Sequence, residues 1–136
     1  MIDSFFNKNV EDLLAKGDLS TLEVDVSVFE KLFDHQIIGI NFLYENFKGS
    51  DGCILADDMG LGKTVQVSTF LTSLRFAKVI NKAIIVVPAT LIDYWYNEIH
   101  NWLPPDKAIQ IERLYGSVPQ RHKLIANIKR YKCLVI

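Results

Sequence analysis

The sequence predicts an α/β domain: a parallel sheet with helices on both faces, built from strands and helices in alternation. Short apolar runs at 53–56, 83–87, 109–114 and 133–136 have the length and β-branched content of strands buried within such a sheet. Between them, apolar residues recur at helical spacing. A glycine turn, Met59-Gly60-Leu61-Gly62, stands at the first strand-to-helix junction.

Taken in order, residues 1–22 form a polar, acidic lead-in, and residues 23–136 form the domain. The lead-in holds one short amphipathic helix, with Phe5, Phe6, Val10, Leu13 and Leu14 on one stripe and a stop at Lys16-Gly17-Asp18. Phe29, Leu32, Phe33, Gln36, Ile37, Ile40, Leu43, Tyr44 and Phe47 mark a helical region that ends at Lys48-Gly49-Ser50-Asp51-Gly52. The run Cys53-Ile54-Leu55-Ala56 predicts a strand buried on both faces, followed by a helix over 63–75. The second strand, 83–87, is closed by Pro88. A second helix spans 90–103, with Leu91, Trp95, Ile99 and Trp102 on its apolar stripe and Thr90 and Asp93 at capping-box spacing. Pro104-Pro105 stops it. A third strand over 109–114 and a third helix over 119–130 follow, and 133–136 opens a fourth strand at which the sequence ends. A domain seldom stops inside a buried strand, so the expectation is an incomplete domain truncated there.

Composition limits the function classes. The 136 residues suffice for one ordinary domain, and 49% hydrophobic residues supply its core, which excludes disordered and collagen-like chains. No apolar run is long enough to span a bilayer, and the N-terminus lacks a signal peptide's basic start and apolar core, which points to the cell interior without a membrane partner. Cys53 and Cys133 lie inside apolar runs and read as buried free thiols. Residues 1–58 carry 12 acids against four lysines, whereas residues 59–136 carry 11 basic residues against four acids. A basic C-terminal part suits a polyanion such as nucleic acid. On charge alone, a solvated helix face is the simpler reading.

The chemistry lies in Asp57-Asp58-Met59-Gly60-Leu61-Gly62-Lys63-Thr64. Gly60 and Gly62 allow backbone conformations that aim several N–H groups at one point, and the helix that follows adds its positive end, a cradle for phosphate oxygens. Lys63 supplies an ammonium for the β- and γ-phosphates of a nucleoside triphosphate, and the Thr64 hydroxyl completes the shell of Mg²⁺. The strict pattern G-x-x-x-x-G-K-[ST] is not met, because Asp57 holds the place of its first glycine.

As a block, these eight residues resemble motif I of the Swi/Snf-type, superfamily-two DNA-dependent ATPases, which usually reads Asp-Glu-Met-Gly-Leu-Gly-Lys-Thr. The segment from Leu32 to Leu43 is similar to the family's upstream glutamine motif, with Gln36 as the glutamine, His35 in the place of Tyr and Phe42 in the place of Trp. Val86-Val87-Pro88-Ala89-Thr90-Leu91, through Trp95 and Glu98, resembles motif Ia, and 132–136 resembles the strand that leads to the next DNA-contacting motif. Within the family, the look is nearest to the Cockayne-syndrome-B/Rad-twenty-six excision-repair group and its checkpoint-helicase-like relatives.

The resemblance implies that the chain is the N-terminal, ATP-binding part of a RecA-like P-loop lobe. Gln36 would read adenine through its amide, although in an amphipathic helix it is otherwise a surface residue. Asp57, Asp58, Met59, Gly60, Leu61, Gly62, Lys63 and Thr64 would hold ATP, with Mg²⁺ on Thr64, and Asp57 would order the loop. Pro88, Ala89 and Thr90 would contact a DNA phosphate, whereas Trp95 and Trp102 pack within the protein. Implied partners are double-stranded DNA and, beyond it, nucleosomes or the transcription and repair machinery, in the nucleus. The parent protein would be a DNA-dependent ATP hydrolase that translocates on duplex DNA. The 136 residues lack the family's acidic motif II and second lobe, so on their own they are expected to be inactive. The competing readings are a non-catalytic remnant or binding module that uses the same surface, and a small-molecule P-loop kinase. The kinase explains Gly62-Lys63-Thr64 but neither Gln36 nor the Pro88 segment.

Overall fold

The computed structural model describes residues 24–49, 52–104, 107–128 and 133–135. The expected lead-in helix and the boundary at residue 22 lie outside them. Five helices are described: α1 (Val26–Phe29), α2 (Asp34–Lys48), α3 (Lys63–Phe76), α4 (Ile92–Asn101) and α5 (Val118–Ile128). Three short strands, β1 (Ala83–Ile84), β2 (Gln110–Glu112) and β3 (Cys133–Val135), form a parallel sheet in the order β1-β3-β2. The register pairs Ala83 with Leu134 and Ile111 with Leu134. Helices alternate with parallel strands, as expected.

The N-terminal helical region divides in two. Asp25 caps α1, its carboxylate accepting from the Ser27 amide at 3.0 Å. Lys107 reaches the same carboxylate at 3.1 Å and lies over the Phe76 ring, tying the approach to β2 back to the start of the described chain. At α2 the Gln36 Oε1 reaches back to accept the Phe33 N–H at 3.0 Å, the glutamine half of a capping box. Gln36 is therefore buried, at 6% exposure, and is not the surface residue that helical patterning suggests.

α3 organises the interior. One apolar cluster joins Leu32, Ile40, Tyr44, Val65, Phe70 and Leu74, with Trp102 packed against it. A second joins Ile92, Ile99 and Ile109, with Phe76, Ala83, Ile85, Val87 and Trp95 around it. Trp95 and Trp102 thus pack inward as expected, and Trp102 Nε1 donates to the Glu98 carboxylate at 2.7 Å. α3 buries Gln66, Ser68, Thr69, Thr72 and Ser73 as well as its apolar residues, because small hydroxyl side chains let neighbouring helices approach from more than one side.

Two expectations about the sheet are corrected. Residues 53–56 carry no strand ladder among the described residues, and Cys53 and Ile54 are exposed, Ile54 by 84%. Along 83–87 the burial alternates: Ala83, Ile85 and Val87 face the second cluster, while Ile84 and Val86 are 75% and 90% exposed. Helices thus cover one face of this stretch, and the other is open among the described residues. An apolar run records what its side chains lose in water, not which other residues cover them.

Candidate functional site

The glycine loop lies between residues 52–58 and α3. Gly60 (φ 88°) and Gly62 (φ 80°) both occupy the left-handed region, which other residues enter only with strain, and Gly62 is the N-cap of α3. The first-turn amides of α3 have no acceptor within their own helix. In the loop that precedes them, Asp58, Met59 and Gly60 are exposed.

Inside the loop, Lys63 folds back. Its ammonium donates to the Asp57 carbonyl at 2.6 Å and to the Asp58 carbonyl at 2.8 Å, so two main-chain oxygens surround the cation. The Asp57 carboxylate accepts from Gln66 Nε2 at 2.8 Å, a bond between the start of the loop and α3. The Leu61 carbonyl receives three side chains: His35 Nε2 at 3.1 Å, Gln36 Nε2 at 3.5 Å and Gln66 Nε2 at 3.5 Å. With a carbonyl facing it, the His35 Nε2 carries the proton. The Phe33 ring stacks on His35 at 5.8 Å. Thr64 is half-buried in the first turn of α3.

The helix that bears Gln36 packs directly on this loop. A Cβ added at Gly62 would lie 2.3 Å from Gln36 Nε2, and one added at Gly39 would lie 1.7 Å from Gln66 Oε1. The structure therefore brings Gln36, Asp57, Leu61, Gly62 and Lys63 into one hydrogen-bonded unit. It adds three residues to those singled out for this site: His35, Gly39 and Gln66. Gln66 lies one helical turn past Gly62, on the same side of α3, and in sequence it directly continues the Lys63-Thr64-Val65 run of the glycine motif.

Pro88, Ala89 and Thr90 belong to a different part of the structure. All three are exposed, and Ala89–Leu91 forms a 3-10 turn closed by the Leu91 amide on the Pro88 carbonyl at 2.8 Å. The expected capping box between Thr90 and Asp93 does not form. The intervening turn makes Leu91 the N-cap of α4, without a side-chain bond. Asp93 instead accepts from Arg113 at 2.6 Å, and Arg113 lies over the Tyr96 ring at 4.2 Å. Hydrogen bonding from the Tyr115 hydroxyl, then from Arg113, holds the Asp93 carboxyl below the usual aspartate value. Desolvation, then the hydrogen bond with Asp93, pushes the Tyr115 hydroxyl above the usual tyrosine value.

A glycine loop that closes over a lysine at the start of a helix stands here in an alternating α/β chain with parallel strands, the class of fold in which nucleotide-binding loops occur. Residues 35–132 match the SNF2-related domain family. The chain is 40% identical over 111 residues to the mouse DNA excision repair protein ERCC-6-like, covering 80% of this chain and 9% of that protein. It is 38% identical over 101 residues to the Caenorhabditis elegans homologue of SWI/SNF-related matrix-associated actin-dependent regulator of chromatin subfamily A containing DEAD/H box 1, covering 74% of this chain and 10% of that one. It is 43% identical over 83 residues to the Arabidopsis thaliana protein CHROMATIN REMODELING 8, covering 61% and 7%. The chain belongs to the SNF2-related family, and it spans about a tenth of the length of these relatives.

Proposed function

We propose that this chain is the ATP-binding part of a DNA-dependent ATPase that acts in chromatin remodelling or DNA repair. The observation that carries this reading is the Lys63 ammonium enclosed by the Asp57 and Asp58 carbonyls, in a loop whose two glycines are left-handed. A cation held by neutral carbonyls within an exposed loop can exchange those oxygens for the anionic oxygens of a β- or γ-phosphate, a stronger charge-assisted bond. The α3 amides and helix end add to the attraction. Gln36 holds the Phe33 amide through Oε1 and directs Nε2 toward the loop. In that position it can recognise an adenine edge, because its amide both donates and accepts.

The donor set also fits Mg²⁺: a threonine hydroxyl next to the phosphate-binding lysine is a hard oxygen ligand of the kind that ion takes. The Thr64 hydroxyl would hold the ion, which, when bound, neutralises charge on the phosphates. Pro88, Ala89 and Thr90, exposed on their turn, would meet the phosphate backbone of double-stranded DNA, giving salt-dependent binding with little sequence preference. On this reading the parent protein would work in the nucleus, on duplex DNA, with nucleosomes or repair machinery as further partners. The names of the excision-repair and chromatin-remodelling relatives support that setting.

Hydrolysis in the family uses an acidic motif and arginines that these 136 residues do not supply. The chain by itself should therefore bind ATP and not turn it over. Titration calorimetry with ATP and Mg²⁺, on the chain and on Lys63→Ala, tests the reading. Loss of the charged contacts should weaken binding by roughly 10- to 100-fold. Equal affinity of the two proteins refutes the site, and DNA-stimulated turnover that is lost in Lys63→Ala refutes the division of labour.

A further inference from the structure

One feature of the loop is unexplained by nucleotide contacts: an aspartate stands where the strict phosphate-loop pattern has its first glycine. The structure shows what that aspartate does. Its carboxylate accepts from Gln66 Nε2 at 2.8 Å, and the same nitrogen lies 3.5 Å from the Leu61 carbonyl. A single amide therefore holds the entry to the loop, at Asp57, and its far side, at Leu61. Gln66 is fully buried, and its Oε1 has no hydrogen-bond partner. The reverse orientation of the amide would turn that oxygen toward a carboxylate and a carbonyl, so the arrangement has one sense only. The cost of the orphaned oxygen is tolerated where the other end of the amide is fixed to a charge. Gly39 on α2 makes room for it, since any Cβ there would overlap Oε1.

We infer that Gln66 is a positioning residue for the phosphate loop, and that the Asp57–Gln66 pair replaces the missing glycine as the device that sets the loop's shape. The inference rests on the ATP-binding reading and deepens it. Lys63 is bonded to the Asp57 and Asp58 carbonyls, and to reach a phosphate it must give up those bonds. The loop then loses its internal cation, and the Gln66 amide still joins Asp57 to Leu61, beside the Leu61 amide on the Asp58 carbonyl. Gln66 touches neither phosphate nor base; it acts through Asp57 and Leu61.

The test compares affinity for ATP, tripolyphosphate and adenosine in wild type, Q66E, the exchanged pair D57N/Q66E, and G39A, with circular dichroism and urea midpoints to establish folding. Q66E opposes two carboxylates and should weaken ATP and tripolyphosphate by about tenfold, the loss of one hydrogen bond to a charged group. Adenosine affinity should change by less than about twofold. The exchanged pair restores the amide-to-carboxylate bond between positions 57 and 66 but turns a carboxylate toward the Leu61 carbonyl, so triphosphate binding should recover in part, to between Q66E and wild type. G39A leaves both partners in place and displaces only the Gln66 end, so it should shift triphosphate affinity in the same direction. It also serves where Q66E fails to fold. Equal losses for adenosine and tripolyphosphate, absence of recovery in a folded exchanged pair, or wild-type triphosphate binding by folded G39A each overturn the inference. If wild type binds ATP and Lys63→Ala does not, these failures leave the ATP site standing. If wild type itself binds no ATP, both readings fall.

Discussion

Gly60 and Gly62 are two residues apart and share a left-handed backbone, yet alanine should be tolerated very differently at the two positions. At Gly60 nothing lies within 4 Å of an added Cβ, so Gly60→Ala incurs only the left-handed strain, about 1–2 kcal/mol. At Gly62 the same strain is joined by an overlap with Gln36, whose Nε2 would lie 2.3 Å away. Gln36 must then move and release the Phe33 amide and the Leu61 carbonyl. At about 0.5–1.5 kcal/mol for each net hydrogen bond, and with the second one long, Gly62→Ala should cost about 2–4 kcal/mol in all. Urea unfolding at constant m-value measures both losses. A cycle with Gln36→Ala isolates the overlap: once the glutamine is truncated, Gly62→Ala should fall to the cost of Gly60→Ala. Equal losses at the two glycines, or strict additivity with Gln36→Ala, would show that the glutamine helix does not rest on the loop.

Two further outcomes follow from the packing and the charges. Ile99 has no exposed surface in the second apolar cluster, so Ile99→Ala should cost about 2–5 kcal/mol by urea unfolding, and a loss below about 1 kcal/mol would deny that cluster its role. Asp93 is held below its usual value, so its contribution is present above the ordinary carboxylate range and is lost as pH falls through its lowered value. Tyr115 is held above its usual value, so its contribution is present below the ordinary tyrosine range and is lost as pH rises through its raised value. Asp93→Asn should remove its part of the acid limb of a melting-temperature profile against pH and reduce the alkaline limb, and an unchanged profile would rule out the linkage.

Much of the candidate site was legible because its chemistry is local. Gly60, Gly62, Lys63 and Thr64 are consecutive or nearly so, and the helix they open begins at Lys63 and ends within a residue of expectation. Local pattern failed where the deciding partner was distant in sequence. Thr90 and Asp93 have capping-box spacing, but the carboxylate is taken by Arg113, 20 residues on. Gln36 looked like a solvent residue because helical periodicity cannot show a side chain bending back to its own N-terminus or a glycine loop 26 residues later pressing on it. Gln66 adjoins the motif, but sequence gives it no role because α3 buries several polar side chains, and a hydrophobic stripe is no guide to a helix packed from several sides. The apolar run at 53–56 met the reverse fate, its composition right for burial and its Ile54 left in water.

The alternation along residues 83–87 has a practical consequence. Ile84 and Val86 project from one side of the chain into solvent, each forgoing about 1.5–3 kcal/mol relative to full burial. Two aliphatic side chains set at strand spacing make a ready adhesive strip, so these 136 residues on their own should clump as their concentration rises. Kosmotropic salts should worsen the clumping, and mild detergent should relieve it.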